Sequence, residues 1–200
     1  FVSLLPCLLM GLGATVWGFA GALALIWLTL IAAGLDHLLA PPQPADADHG
    51  PWSERLALGL AVAHLVLLVL VLDALTSERL STGQSIILIL ALASFMGQVS
   101  HPNAHELIHR KDRIARGLGA LVYGVTGFGH HVSAHRLVHH RHVGTTDDPN
   151  TPLPGEGLWA YLPRAWTGSF LAGLASEAHA KRTAAPRIHF YSMTAACLQI

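Results

Sequence analysis

Apolar residues run in long blocks along this chain, broken by short polar stretches. Phe1 to Leu35 carries no charged residue, and Asp36-His37 closes it. The block has room for two helices with a hairpin between Gly11-Leu-Gly13 and Gly18. Pro41 to Pro51 is polar and proline-rich, a composition that neither helix nor strand tolerates. Leu56 to Leu72 forms a third apolar run, ended by Asp73. A turn around Ser77-Glu78-Arg79 leads to a fourth run, which begins near Ser85. A crossing helix needs about 20 mostly apolar residues. The pattern therefore predicts four spans, at about 1–17, 19–38, 56–73 and 84–104. None has the polar stripe of a helix facing bulk water.

Leu118 to Gly129 is apolar but short and glycine-rich, which suits an interfacial or re-entrant segment. As a crossing it would hold the histidines on its two sides about 30 Å apart. The chain turns polar from Arg141 to Arg187, with an amphipathic helix expected from Trp166 to Lys181, and Phe190 to Ile200 begins a fifth span. The expected fold is an all-α integral membrane protein. It is a helical bundle of four transmembrane helices plus the start of a fifth, with histidine boxes at the cytoplasmic helix ends. It reads as one domain over 1–200, with a histidine-box region at 101–150 and a cytoplasmic segment at 151–188. The chain lacks an initiator methionine and stops inside an apolar run, so it is expected to be part of a longer polypeptide truncated at its C-terminus.

Composition agrees. Hydrophobic residues make up 52% and charged residues 12%, against about 25% charged in a soluble domain. That apolar content excludes a disordered chain. Twelve basic residues balance twelve acidic ones, which removes the electrostatic case for nucleic acid. Cys7 and Cys197 form neither a disulfide framework nor a zinc spacing. Arg110, Lys111, Arg113 and Arg116 directly follow the fourth span and mark that end as cytoplasmic. Besides signalling topology, this basic cluster suits lipid headgroups or a docking carrier.

The chemistry lies in the histidines. The chain has fourteen, and nine fall between His101 and His142. His37, His49, His64, His179 and His189 read as ordinary surface or hydrogen-bonded core residues. The cluster does not, because ionisable groups near membrane depth are expensive and usually functional, and imidazole is a common metal ligand. His105 and His109 sit four apart, as do His135 and His139, so each pair shares one face of a helix. On an α-helix His140 points about 100° away from His139, which suggests a second metal. His105-Glu106-Leu-Ile-His109 also satisfies the zinc-protease signature, with Glu106 as general base. Three readings follow: a non-haem di-iron oxygenase using both clusters, a zinc protease using the first, and a non-catalytic metal or proton conduit.

Asn103-Ala-His105-Glu-Leu-Ile-His109-Arg, Phe128-Gly-His130-His131, His135-Arg-Leu-Val-His139-His140 and Thr145-Thr-Asp-Asp148-Pro149 resemble the membrane alkane 1-monooxygenase family, a branch of the fatty-acid desaturase-like superfamily. Gly155-Glu156-Gly, Leu162-Pro163-Arg164 and Gly168-Ser169-Phe170 extend the likeness. The resemblance implies a six-span fold and two non-haem irons held by His105, His109, His135, His139 and His140, with O2 as co-substrate. His130 would lie just outside the ligands, and Glu106 would serve the chemistry. The implied reaction hydroxylates a terminal C–H bond of an alkane or alkyl chain drawn from the bilayer, with fatty acyl desaturation or hydroxylation as the alternative. A rubredoxin-like carrier would supply electrons, in a bacterial inner membrane with the site facing the cytoplasm. Ala134 and Val138 depart from the family pattern, which carries glutamate and glycine there. The family's remaining histidine boxes would lie beyond Ile200, so these 200 residues alone are expected to be inactive.

Overall fold

The computed structural model describes residues 3–39 and 51–180. Every regular element among them is helical, and the chain divides into two units, Phe1–Gly119 and Ala120–Ile200.

The first unit contains α1 (Leu4–Thr15), α2 (Ala20–Leu38), α3 (Pro51–Thr76) and α4 (Thr82–His109). Three helices are long and apolar enough to cross a membrane: Ala20–Leu38, Trp52–Thr76 and Thr82–His109. α1 is the difference from the four expected spans. Its 12 residues reach only about 18 Å, because the chain uses the residues after Thr15 to reverse into α2. Gly13 makes that reversal tight: a Cβ there would lie 2.8 Å from the Gly21 backbone nitrogen. Small residues let apolar helices approach backbone to backbone in this way. Met10, Ala14, Ala24, Leu28, Leu67, Val71, Leu88 and Phe95 form the buried centre.

Local signals set the start of α4. Ser81 accepts the Gln84 backbone N–H at 3.3 Å and the Gln84 side chain accepts the Ser81 N–H at 2.9 Å, a reciprocal cap. α2 and α4 each contain one widened π-turn, at Trp27–Ile31 and Met96–Ser100. After α4, Asp112 accepts the Ala115 N–H at 2.7 Å and starts α5 (Arg113–Val125). At 13 residues α5 is too short to cross, consistent with the expectation for this stretch. Gly119 lies against the end of α4, where a Cβ would stand 2.8 Å from the Ala104 carbonyl oxygen and 2.9 Å from Leu107 Cβ.

In the second unit, α6 (131–142) packs on α7 (Leu158–Ala180). α7 begins eight residues before the expected Trp166, with Pro163 inside it. Arg164 anchors that early turn. It donates to both Glu156 carboxylate oxygens, at 2.6 and 2.5 Å, and to the carbonyls of Pro149 and Thr151, each at 3.0 Å. The expected proline-rich loop, the fifth span and the cytoplasmic stretch from Lys181 lie outside the described residues.

Candidate metal centre

Two histidine sets form, one in each unit. In the first, His105 and His109 sit one turn apart near the end of α4, their ring centroids 4.8 Å apart and edge to face. Two side chains of the same helix segment reach α3. The Asn103 amide donates to the Ala57 carbonyl at 2.9 Å, and the Ser100 hydroxyl lies 2.7 Å from His64 Nδ1. Glu106 faces outward and pairs with Arg110 at 2.9 Å. Its carboxylate is half exposed and engaged with the Arg110 guanidinium.

The second set is more closely knit. His131, His135 and His139 stack in sequence, with centroids 4.9 and 5.2 Å apart. His135 to His139 is a π-turn rather than the α-helix assumed when His140 was placed relative to His139. On an α-helix His140 lies about 140° around the axis from His135. A π-turn has about 4.4 residues per turn, which brings the fifth residue to within about 50°. His140 Nε2 accordingly sits 2.9 Å from His135 Nε2. His139 and His140 remain splayed, at 90° and 6.1 Å, yet both rings face His135.

This donor set suits a metal ion. Two nitrogens, each about 2.1 Å from one ion and at right angles, stand about 3.0 Å apart. His139 is already oriented, because its Nδ1 lies 2.9 Å from Asp148 Oδ2. Burial pushes the Asp148 carboxyl up, but the Asn150 N–H, the Thr151 hydroxyl and His139 outweigh burial and hold it below its usual range. An ionised carboxylate only accepts, so Nδ1 carries a proton and Nε2 is the ring atom left to face a cation. Carboxylate–histidine pairs of this kind tune metal ligands.

The importance of Asp148, buried to 1% exposure, was not drawn from the sequence. The Asp147-Asp148-Pro149 turn close behind the box was the available signal. Glu177 is a second case. It reaches from α7 to accept the Ser133 hydroxyl at 2.5 Å, two residues before His135, with both side chains buried.

His130 stands apart from the set. It is wholly buried, caged by Phe128, Trp166 and Phe170 at centroid distances of 4.9, 4.9 and 5.4 Å. Neither ring nitrogen has a hydrogen-bond partner among the described residues. Burial pushes its pKa down to about 4, so the ring is neutral at physiological pH.

Long apolar helices, a histidine-rich helix end and a carboxylate-oriented imidazole cluster define a helical membrane protein equipped for metal. The family model described as fatty acid desaturase matches residues 83–198, and the chain belongs to that family. Among curated relatives, it is 30% identical over 103 residues to alkane 1-monooxygenase 2 of Pseudomonas aeruginosa, covering 51% of this chain and 27% of that protein. Alkane 1-monooxygenase 1 of Alcanivorax borkumensis is 38% identical over 84 residues, covering 40% and 21%. The hydroxylase component of xylene/toluene monooxygenase from Pseudomonas putida is 31% identical over 94 residues, covering 47% and 26%. The matched stretches thus span about a quarter of each relative.

Proposed function

We propose that these residues form part of a non-haem di-iron membrane monooxygenase that hydroxylates a terminal C–H bond of an alkane or alkyl chain to a primary alcohol. The carrying observation is the His135–His140 nitrogen pair at 2.9 Å beside the Asp148-oriented His139. The relatives named as alkane and xylene/toluene monooxygenases support the same reading.

His105, His109, His135, His139 and His140 are the proposed iron ligands from this stretch. A pair of reduced irons would supply the activation of O2 that an unactivated C–H bond requires. The chain's own residues do the holding and orienting. Asp148 keeps the proton on His139 Nδ1, and the π-turn directs His140 toward His135. An alkyl substrate offers neither charge nor hydrogen bonds, so apolar burial must hold it, at about 0.8 kcal/mol per CH2. Arg110, Lys111, Arg113 and Arg116 form the proposed docking face for a rubredoxin-like carrier, on the cytoplasmic side of a bacterial inner membrane. A membrane-impermeant label on Asp112→Cys should react only from that side.

The zinc-protease reading loses support from the Glu106–Arg110 pair, which occupies the carboxylate that would serve as general base. The test is metal analysis and product analysis of the full-length protein. About two irons per chain and a primary alcohol from an alkane are expected, with both lost in His105→Ala and His139→Ala. One tightly held zinc, with peptide cleavage abolished by Glu106→Gln, would overturn the reading. An alkene product would redirect it to desaturation.

A further inference from the structure

His64 read as an ordinary core histidine in the sequence, but its placement says more. It lies within α3, only 1% exposed, and meets Ser100, the last residue of the π-turn in α4. Its other nitrogen, Nε2, is buried without a hydrogen-bond partner among the described residues. An unpartnered buried polar group costs about 1–3 kcal/mol, so a leucine here would serve stability better than the imidazole does. The position instead controls register. A π-turn is one residue more than the α-helix needs, and it persists only where tertiary contacts hold it. If it annealed to regular α-helix, every later residue would rotate about 100° around the axis. His105 and His109 begin five residues beyond Ser100. The Asn103–Ala57 bond ties the same segment to the same neighbouring helix.

We infer that His64 is a positioning residue for the first histidine pair: its bond to Ser100 fixes the π-turn at Met96–Ser100 and so sets the face on which His105 and His109 stand. The inference rests on the iron reading for its consequence, but not for its geometry. Apolar interiors of membrane bundles hold few polar contacts, and these two both grip residues 100 to 103.

The experiment uses the full-length protein with His64→Leu, Ser100→Ala, the double variant, and His64→Asn, which keeps a polar atom near the Nδ1 position. Two readouts are taken: amide hydrogen exchange over residues 101–109 in metal-free protein, and apparent iron affinity. Both single variants should lose exchange protection in that segment at least tenfold and weaken iron binding about tenfold. The double variant should be no worse than either single, His64→Asn should restore most of the loss, and overall helix content should hold. Ser100→Ala removes one hydroxyl only, so it remains informative if His64→Leu does not fold. Unchanged exchange in Ser100→Ala would overturn the inference. So would iron loss in His64→Leu alone, since His64 would then act directly rather than through Ser100. Wild-type protein that takes up no iron would sink the proposed function while the exchange measurement still judged the positioning role.

Discussion

His139 donates its Nδ1–H to Asp148 at 2.9 Å, and the acceptor lies almost wholly out of solvent. Asp148→Asn keeps the shape but can present an N–H where only an acceptor serves, which favours the wrong imidazole tautomer. Losses of partners to ligating histidines typically weaken metal binding about 10- to 100-fold. The same loss is expected here, read as iron retained during titration with a chelator, with helix content unchanged.

His130 should behave in the opposite sense. Two buried ring nitrogens without partners are a burden on folding, so His130→Leu should raise the thermal midpoint by a few degrees, from about 1–3 kcal/mol recovered per unpaired group. Its pH signature carries a definite sign. The ring's ordinary value of 6.5 falls to about 4 in the folded protein, so the unfolded chain binds more protons between those values. Wild-type stability attributable to this group is complete above pH 6.5 and declines as pH drops toward 4. The variant should lack that decline in pH-dependent melting curves.

The Glu156–Arg164 fork gives a second, more acidic window. Hydrogen bonds from the Arg164 side chain and the Leu153 N–H hold the Glu156 carboxyl down at about 2, against 4.5 ordinarily. Its contribution is therefore present above pH 4.5 and is lost as pH falls toward 2. Protease cleavage within 144–157 should accelerate across that range, and Glu156→Gln should cleave readily even at pH 6.

Glu177 and Ser133 test whether α7 steadies the second histidine set. Glu177→Leu strands a buried hydroxyl and removes a short hydrogen bond, a change worth about 1–3 kcal/mol. A lowered thermal midpoint is expected, together with faster exchange at residues 131–135. Ser133→Ala with Glu177→Leu should recover part of the stability, because both polar groups then leave together.

The apolar blocks and both histidine pairs were legible because membrane spans and i, i+4 pairs write themselves in composition and local spacing. Leu56 to Leu72 announces α3 with no tertiary information. What stayed hidden depends on backbone detail or distant partners. No periodicity marks the π-turn at His135–His139, so the 2.9 Å approach of His140 to His135 was not legible in the sequence. Glu177 and His64 matter through residues 44 and 36 positions away, beyond any local pattern, while for Asp148, nine positions from His139, the turn motif was visible but its partner was not. The start of α7 at Leu158 goes with the Arg164 fork to Glu156, Pro149 and Thr151, contacts that no local spacing displays.

Gly119 has a consequence for how this protein should be mutated. Alanine is customarily the harmless reference in a scan, yet here its methyl group would press on the Ala104 carbonyl and Leu107. The backbone beside His105 and Leu107 must then retreat by a fraction of an ångström, a small strain for the fold but a large error for the iron ligand proposed at His105, since metal–ligand bonds tolerate about 0.2 Å. A scan would score position 119 as functional although glycine contributes no chemistry, and what it would detect is a spacing between two helices.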